Sequence, residues 1–303
     1  MSQRRVLLPR HVKSNWRALC AAALSLLALP AGAQHPALAA AIEARLGMAS
    51  TGKELVIRGE GLAASRVIAD FYTRRGFSPA WTRTRDVDDL LRAILESADE
   101  GLDPSDYHLA ALLRLRGVVS QAHAADVDHA DFELLLTDAI VRLGYHFWFG
   151  KVDPQALDPG WNMNRMLPGL DPAEEIAAAL ATGDLYGAIE RARPTHPLYV
   201  ELKRALAHYR RVALAGGWPE LPPGPTLEPA AVDDRVPVLR AVLAATGDLA
   251  EATSADPRVY DAPLESAVRG FQQRMGLGVD GRVGAATQAE LRVPVEDRTR
   301  QLR

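Results

Sequence analysis

Arg258-Val-Tyr-Asp-Ala-Pro-Leu-Glu-Ser-Ala-Val-Arg-Gly-Phe-Gln-Gln-Arg-Met-Gly-Leu-Gly-Val-Asp-Gly-Arg-Val-Gly-Ala-Ala-Thr-Gln-Ala-Glu-Leu291 is the stretch that decides the fold. Leu264, Val268, Phe271 and Met275 recur at i, i+4, i+7 and i+11, which is one face of a helix. Asp261 is placed to cap that helix, with Pro263 in its first turn. Gly276 and Gly278 close it. Asp280-Gly281 then supplies a turn with a residue at positive φ. A second short helix follows Val283-Gly284, and Val283 and Leu291 are expected to pack back on the first.

The same helical period runs upstream. Ala64, Val67, Ile68 and Phe71 mark one helix. Leu90, Leu91, Ile94 and Leu95 mark another, over 86–99, stopped by Gly101. Asp103-Pro104-Ser105-Asp106 reads as the start of a helix through Leu109, Leu112 and Leu113. The longest helix is expected over 129–150. Asp171-Pro172 opens a further one, with Glu174 and Glu175 in the turn where acids suit the dipole. Another runs over 198–215 and ends at Gly216-Gly217, and a last one over 233–244. Residues 54–58 suggest a short strand. Residues 34–50 read as a loose, alanine-rich lead-in. Four prolines within 218–225 forbid a regular helix and favour a stiff connector. The predicted class is all-α: a helical domain over 51–220, a Pro-rich linker over 221–231 and a three-helix domain over 232–294.

Composition sets the surroundings. Arg4, Arg5, Arg10, Lys13 and Arg17 precede a 12-residue apolar run, Ala18 to Leu29, then Pro30 and Ala31-Gly32-Ala33. This is the pattern of a secretory signal cleaved after Ala33, and the run falls short of the roughly 20 residues that span a bilayer. Periplasmic localisation and no stable membrane span after cleavage are therefore expected. The signal carries five of the 35 basic residues and none of the 38 acids, so the remainder is 30 against 38, net −8. That charge disfavours nucleic acid as a partner. The one cysteine is Cys20, inside the signal. The mature chain then has no disulfide, no thiolate metal site and no cysteine nucleophile.

Other chemistry finds little support. His123 and His129, with Asp126, Asp128 and Asp131, are too widely spaced for a zinc pair and read as a solvated loop. His146 reads as a core histidine. No carboxylate pair and no G-x-S-x-G motif stands out. Trp81, Trp148, Trp161 and Trp218 read as core or joint plugs rather than a sugar groove. No metal and no cofactor is called for, and no catalytic residue is assigned.

The ordered elements F-Q-Q-R-x-G-L, D-G-x-V-G and Thr287 resemble the peptidoglycan-binding domain of bacterial envelope proteins. That resemblance implies peptidoglycan as a partner, with Gln272, Asp280, Arg282 and Thr287 as candidate contacts near the Asp-Gly turn. Asp280 and Thr287 also suit turn capping. Arg282 has no evident local role and could pair with a stem-peptide carboxylate. Upstream, Phe71-Tyr-Thr-Arg-Arg-Gly-Phe-Ser-Pro-Ala-Trp81, Gly101-Leu-Asp-Pro-Ser-Asp-Tyr-His-Leu109, Gly150-Lys-Val-Asp-Pro154, His196-Pro-Leu-Tyr199 and Tyr209-Arg-Arg-Val-Ala-Leu-Ala-Gly-Gly-Trp-Pro219 resemble the scaffold domain of large periplasmic L,D-transpeptidases. In that family a catalytic domain with an S/T-H-G-C motif follows, and nothing here matches it. Residues 295–303 resemble the lead into it.

The expectation is a non-catalytic, wall-binding scaffold. Two alternatives stay open. The chain could be the N-terminal part of an active L,D-transpeptidase that crosslinks stem peptides, its Cys-bearing catalytic domain lying beyond residue 303, or a scaffold whose partner is a separately encoded catalytic domain or another envelope protein.

Overall fold

The computed structural model describes residues 35–47, 55–153, 169–250 and 254–303. The signal segment with Cys20 and Ala33, and Trp161, lie outside these. The described residues divide into two compact units. One holds residues up to 98 together with 103–194, and the other holds 99–102 and 195–303.

The first unit contains α1 (Pro36–Gly47), a hairpin of β1 (Val56–Ile57) and β2 (Glu60–Gly61), α2 (Ser65–Arg74), α3 (Thr84–Glu96), α4 (Leu109–Val119), α5 (Asp126–Phe149), α6 (Pro172–Ala181) and α7 (Leu185–Ala192). The hairpin is antiparallel, with Val56 opposite Gly61. Helices α1 to α4, α6 and α7 all pack on α5. This follows from its sequence: residues 130–140 are buried without a break, so this middle stretch of α5 is covered on every side rather than along one stripe.

A helix buried all round must pair whatever polar groups it carries. Four of those residues are polar. The Glu133 carboxylate accepts hydrogen bonds from Tyr72 Oη (2.8 Å), Ala80 N (2.8 Å) and Trp81 N (3.1 Å). Thr137 Oγ1 accepts from Trp81 Nε1 at 3.0 Å and donates to the carbonyl of Glu133. These bonds fix the turn that carries Trp81. Asp131 receives Arg45 from α1 at 3.1 Å and Arg58 from the hairpin at 2.6 Å. Asp138 accepts from Ala64 N and from His108 Nε2, both at 2.8 Å.

His108 is buried and stands at φ 58°. Its other ring nitrogen, Nδ1, lies 3.0 Å from Glu60 Oε2. Two carboxylates facing both ring nitrogens favour the imidazolium, which donates twice. Burial alone would lower its pKa, but the bonds to Asp138 and Glu60 outweigh burial and raise it.

Several elements differ from the sequence reading. Residues 36–47 form a helix with Ile42 and Leu46 buried, because Arg45 is anchored on Asp131. The helix expected from 103 is broken. A 3-10 turn, Pro104–Tyr107, ends at left-handed His108 before α4 begins, since the His108 bonds to Glu60 and Asp138 hold that conformation. Asp126, Asp128 and Asp131 belong to α5 and not to a loop. Helix α7 had no sequence forecast. Its start is marked by Asp184, which accepts from Gly187 N.

The second unit contains α8 (Pro197–Leu214), α9 (Val236–Ala245), α10 (Ala262–Arg274), α11 (Ala285–Leu291) and α12 (Val295–Gln301). Leu239, Leu243, Leu264, Val268, Phe271, Val283 and Leu291 share one buried cluster. Each contributes roughly 1.5–3 kcal/mol by leaving water. The Pro-rich stretch joins that core: Leu221 and Leu227 are buried in it, and Leu227 bridges Val283. Asp261 caps α10 by accepting from Leu264 N at 3.1 Å. Residues 99–102 belong here because the buried Glu100 carboxylate accepts from Tyr199 Oη at 2.6 Å and pairs with Lys203.

Two outcomes are expected of the first unit. Glu133→Ala strands three neutral donors in the core and should cost about 2–4 kcal/mol, with Glu133→Gln costing less. Urea unfolding of both variants measures this, and equal midpoints with the parent would refute it. For His108 the folded-state pKa is raised, so its contribution is fully present below the unfolded value of about 6.5 and is lost as pH rises through the folded value. The stability gap between the parent and His108→Gln should therefore be larger at about pH 5.5 than at about pH 8.5.

Candidate functional site

The Asp280-Gly281 turn is built on one side chain. Gln272 sits near the end of α10 and is 1% exposed. Its Oε1 accepts from Asp280 N (3.1 Å) and Gly281 N (2.9 Å). Its Nε2 reaches Asp280 Oδ1 (2.8 Å), the Arg282 carbonyl (2.9 Å) and Thr287 Oγ1 (3.2 Å). Two amide hydrogens serve three acceptors, so one is shared. The amide has one sensible orientation, because flipping it would set its NH2 against two backbone N–H groups.

The turn is held from its other side too. Tyr260 Oη donates to the Gly281 carbonyl at 2.7 Å. Gly281 stands at φ +74°, and a Cβ there would meet Arg269 Nε at 2.9 Å. The positive φ therefore requires glycine, and a Cβ would also push the Arg269 side chain aside. Asp280 Oδ1 accepts from Arg282 N at 2.8 Å, closing an Asx turn. That backbone bond, then Gln272, holds the exposed Asp280 carboxyl below its ordinary range.

All four residues singled out by sequence thus meet at one turn, in two roles. Gln272 and Thr287 are buried and structural. Asp280 and Arg282 are exposed, the first also capping the turn. Arg282 is not without a local role. Its Nε lies 2.6 Å from Glu228 Oε2, with a second contact from its other nitrogen to the same carboxylate. Hydrogen bonding to Arg282 in turn lowers the Glu228 pKa. Glu228 is 54 positions away in the Pro-rich stretch, and no spacing signal announces it. Gln288 was also missed. It is buried and donates to the carbonyls of Gly224 and Val283, both at 3.1 Å, which sews the Pro-rich stretch to α11.

The tryptophans divide. Trp81 is buried with its N–H on Thr137, and Trp218 packs edge-on against Tyr209. Trp148 lines an apolar cavity of about 150 Å³ in the first unit, with Leu170, Ile176 and Ile189. His146 Nδ1 lies 2.8 Å from Tyr107 Oη. Among the described residues, no group of three or more His, Cys, Asp or Glu is placed to hold a metal ion. No described helix is long and apolar enough to cross a membrane.

Comparison with known families adds to this geometry. Residues 66–206 match the family of a scaffold domain. Residues 233–291 match a putative peptidoglycan binding domain. The chain therefore joins a scaffold domain to a peptidoglycan-binding domain, and the Gln272-clamped turn lies within the second. The scaffold match reaches into α8, which packs with the second compact unit. A comparison with curated proteins returned no match.

Gln272→Ala removes five contacts and leaves two N–H groups of the turn without their acceptor. It should lower stability by about 2–4 kcal/mol and raise hydrogen exchange at Asp280 and Gly281. Gly281→Ala should destabilise by more than about 1 kcal/mol. An unaltered exchange pattern in Gln272→Ala would show that the clamp does not hold the turn.

Proposed function

We propose that these residues form the wall-binding, non-catalytic part of an L,D-transpeptidase-like protein, working in the periplasm after signal cleavage at Ala33. The observation that carries the reading is the peptidoglycan-binding match over 233–291, together with a rigid turn that presents Asp280 and Arg282 to solvent. The scaffold match over 66–206 supports the L,D-transpeptidase relation, as do the upstream motifs quoted above. The basic, apolar and A-x-A segments at residues 1–33 support export. No cysteine follows Cys20, so these residues supply no thiolate to attack a donor peptide.

Binding at the turn follows from rigidity. Asp280 offers an acceptor and Arg282 a planar fork suited to a carboxylate. The backbone beneath them is fixed before the ligand arrives, which reduces the ordering cost of binding. Arg282 must share or exchange its Glu228 partner. An exposed pair of this kind is weak enough to allow that.

Purified residues 34–303 should sediment with isolated sacculi, and Arg282→Ala should reduce the bound fraction several-fold without lowering the unfolding midpoint. The same protein should release no crosslinked product from tetrapeptide muropeptides. Steady turnover would overturn the non-catalytic reading, and failure to sediment would overturn wall binding.

A further inference from the structure

The second unit carries another concavity that the turn does not explain. It measures about 180 Å³ and lies where α8 ends and α11 passes into α12. The backbone of Gly216 and Gly217 forms one edge, and Trp218, Leu291 and Val295 supply apolar surface. Three charged side chains line it: Glu220, Glu296 and Arg292.

The state of those charges is informative. Among the described residues, neither Glu220 nor Glu296 makes an ion pair or a side-chain hydrogen bond, and both are exposed. Nearly every other acid in this unit is paired or caps a turn, as Asp248, Asp261 and Glu290 illustrate. Arg292 is half-buried. Its Nε donates to the Leu221 carbonyl and one terminal nitrogen to Gln288 Oε1, both at 3.2 Å. Both acceptors are neutral, so its charge is not compensated. Its second terminal nitrogen, Nη1, has no partner among the described residues. The guanidinium is thus oriented by the fold while one N–H pair stays open.

A cleft with an apolar wall, two unpaired carboxylates and one oriented, uncompensated guanidinium matches a ligand of definite chemistry. A simple cation would be repelled by Arg292, and a simple anion by the two glutamates. The complement is an aliphatic arm ending in a carbon that bears both an ammonium and a carboxylate. We propose that this cleft is a subsite for the zwitterionic end of a diamino-acid side chain in a wall stem peptide. The carboxylate lies toward Arg292, the ammonium between Glu220 and Glu296, and the methylenes against Trp218. The proposal rests on the peptidoglycan-binding reading and adds a second contact region to it, separate from the Asp280-Gly281 turn.

The test uses residues 34–303 and two soluble muropeptides. One carries meso-diaminopimelate in its stem, and the other carries lysine, which keeps the ammonium and lacks the carboxylate. Calorimetric titration should give tighter binding of the first by roughly tenfold, the size of about one charge-assisted contact. The variant Arg292→Gln should erase most of that advantage, and Glu220→Gln/Glu296→Gln should weaken binding of both muropeptides alike, since both carry the ammonium. Glu201→Gln on α8, which lies outside the cleft, should do neither. Both replaced glutamates are exposed, so folding is checked simply by the unfolding midpoint. Equal affinity for the two muropeptides, full retention of the preference by Arg292→Gln, or unchanged affinity of the double glutamate variant would overturn the subsite. Sedimentation with sacculi separates this from the broader reading. Sacculus binding without stem preference removes only the subsite, whereas absence of all binding removes both.

Discussion

The amide of Gln272 is the constraint on which the wall-binding domain depends. An Asp-Gly turn left to itself samples many conformations, and nothing in its local sequence makes it rigid. Burying an amide beneath it changes that. Two turn N–H groups, one turn carbonyl and the Asp280 carboxylate all find partners on one side chain. Losing the Gln272 oxygen would leave the Asp280 and Gly281 N–H groups without their acceptor, so the amide holds the turn in one conformation. Tyr260 fixes the opposite side of Gly281. The exposed side chains therefore project from a platform that is specified from below.

The scaffold unit repeats this device at larger scale. The middle of helix α5, residues 130–140, is buried all round, yet it carries Asp131, Glu133, Thr137 and Asp138 inside the contact. Between them they reach several covering segments: Asp131 holds α1 and the hairpin, Glu133 and Thr137 the Trp81 turn, and Asp138 the start of α2 and His108. Apolar burial provides most of the stability in such a unit, but it is tolerant of sliding and rotation. The buried polar groups are not, because each has few alternative partners. The hydrophobic period says that a helix exists, and these pairs fix where its neighbours sit.

That division explains how much was legible in sequence. Helix period, caps and glycine stops were local, so the all-α class and most of the helices could be read directly, down to the Asp261 cap. The four residues of the candidate site were found together because they lie within 16 positions. What stayed hidden was set by distant partners. The His108 break depends on Glu60 and Asp138, the ordering of 36–47 on Asp131, and the role of Arg282 on Glu228. The Pro-rich stretch looked like a connector because prolines exclude helix. Yet extended chain can still bury leucines, and Leu221 and Leu227 do so.

Residues 99–102 carry a consequence for how this chain comes into being. They belong with α8, which begins almost a hundred positions later, and the whole scaffold helix α5 is synthesised between them. Glu100 must wait for Tyr199 and Lys203 to emerge before it can make these two contacts. Closing so long a loop is entropically slow. During translation the first unit can gather around α5, while the second is obliged to finish last. The order of assembly is thus written into four residues, and a ribosome pausing before residue 200 would hold the wall-binding half unfinished.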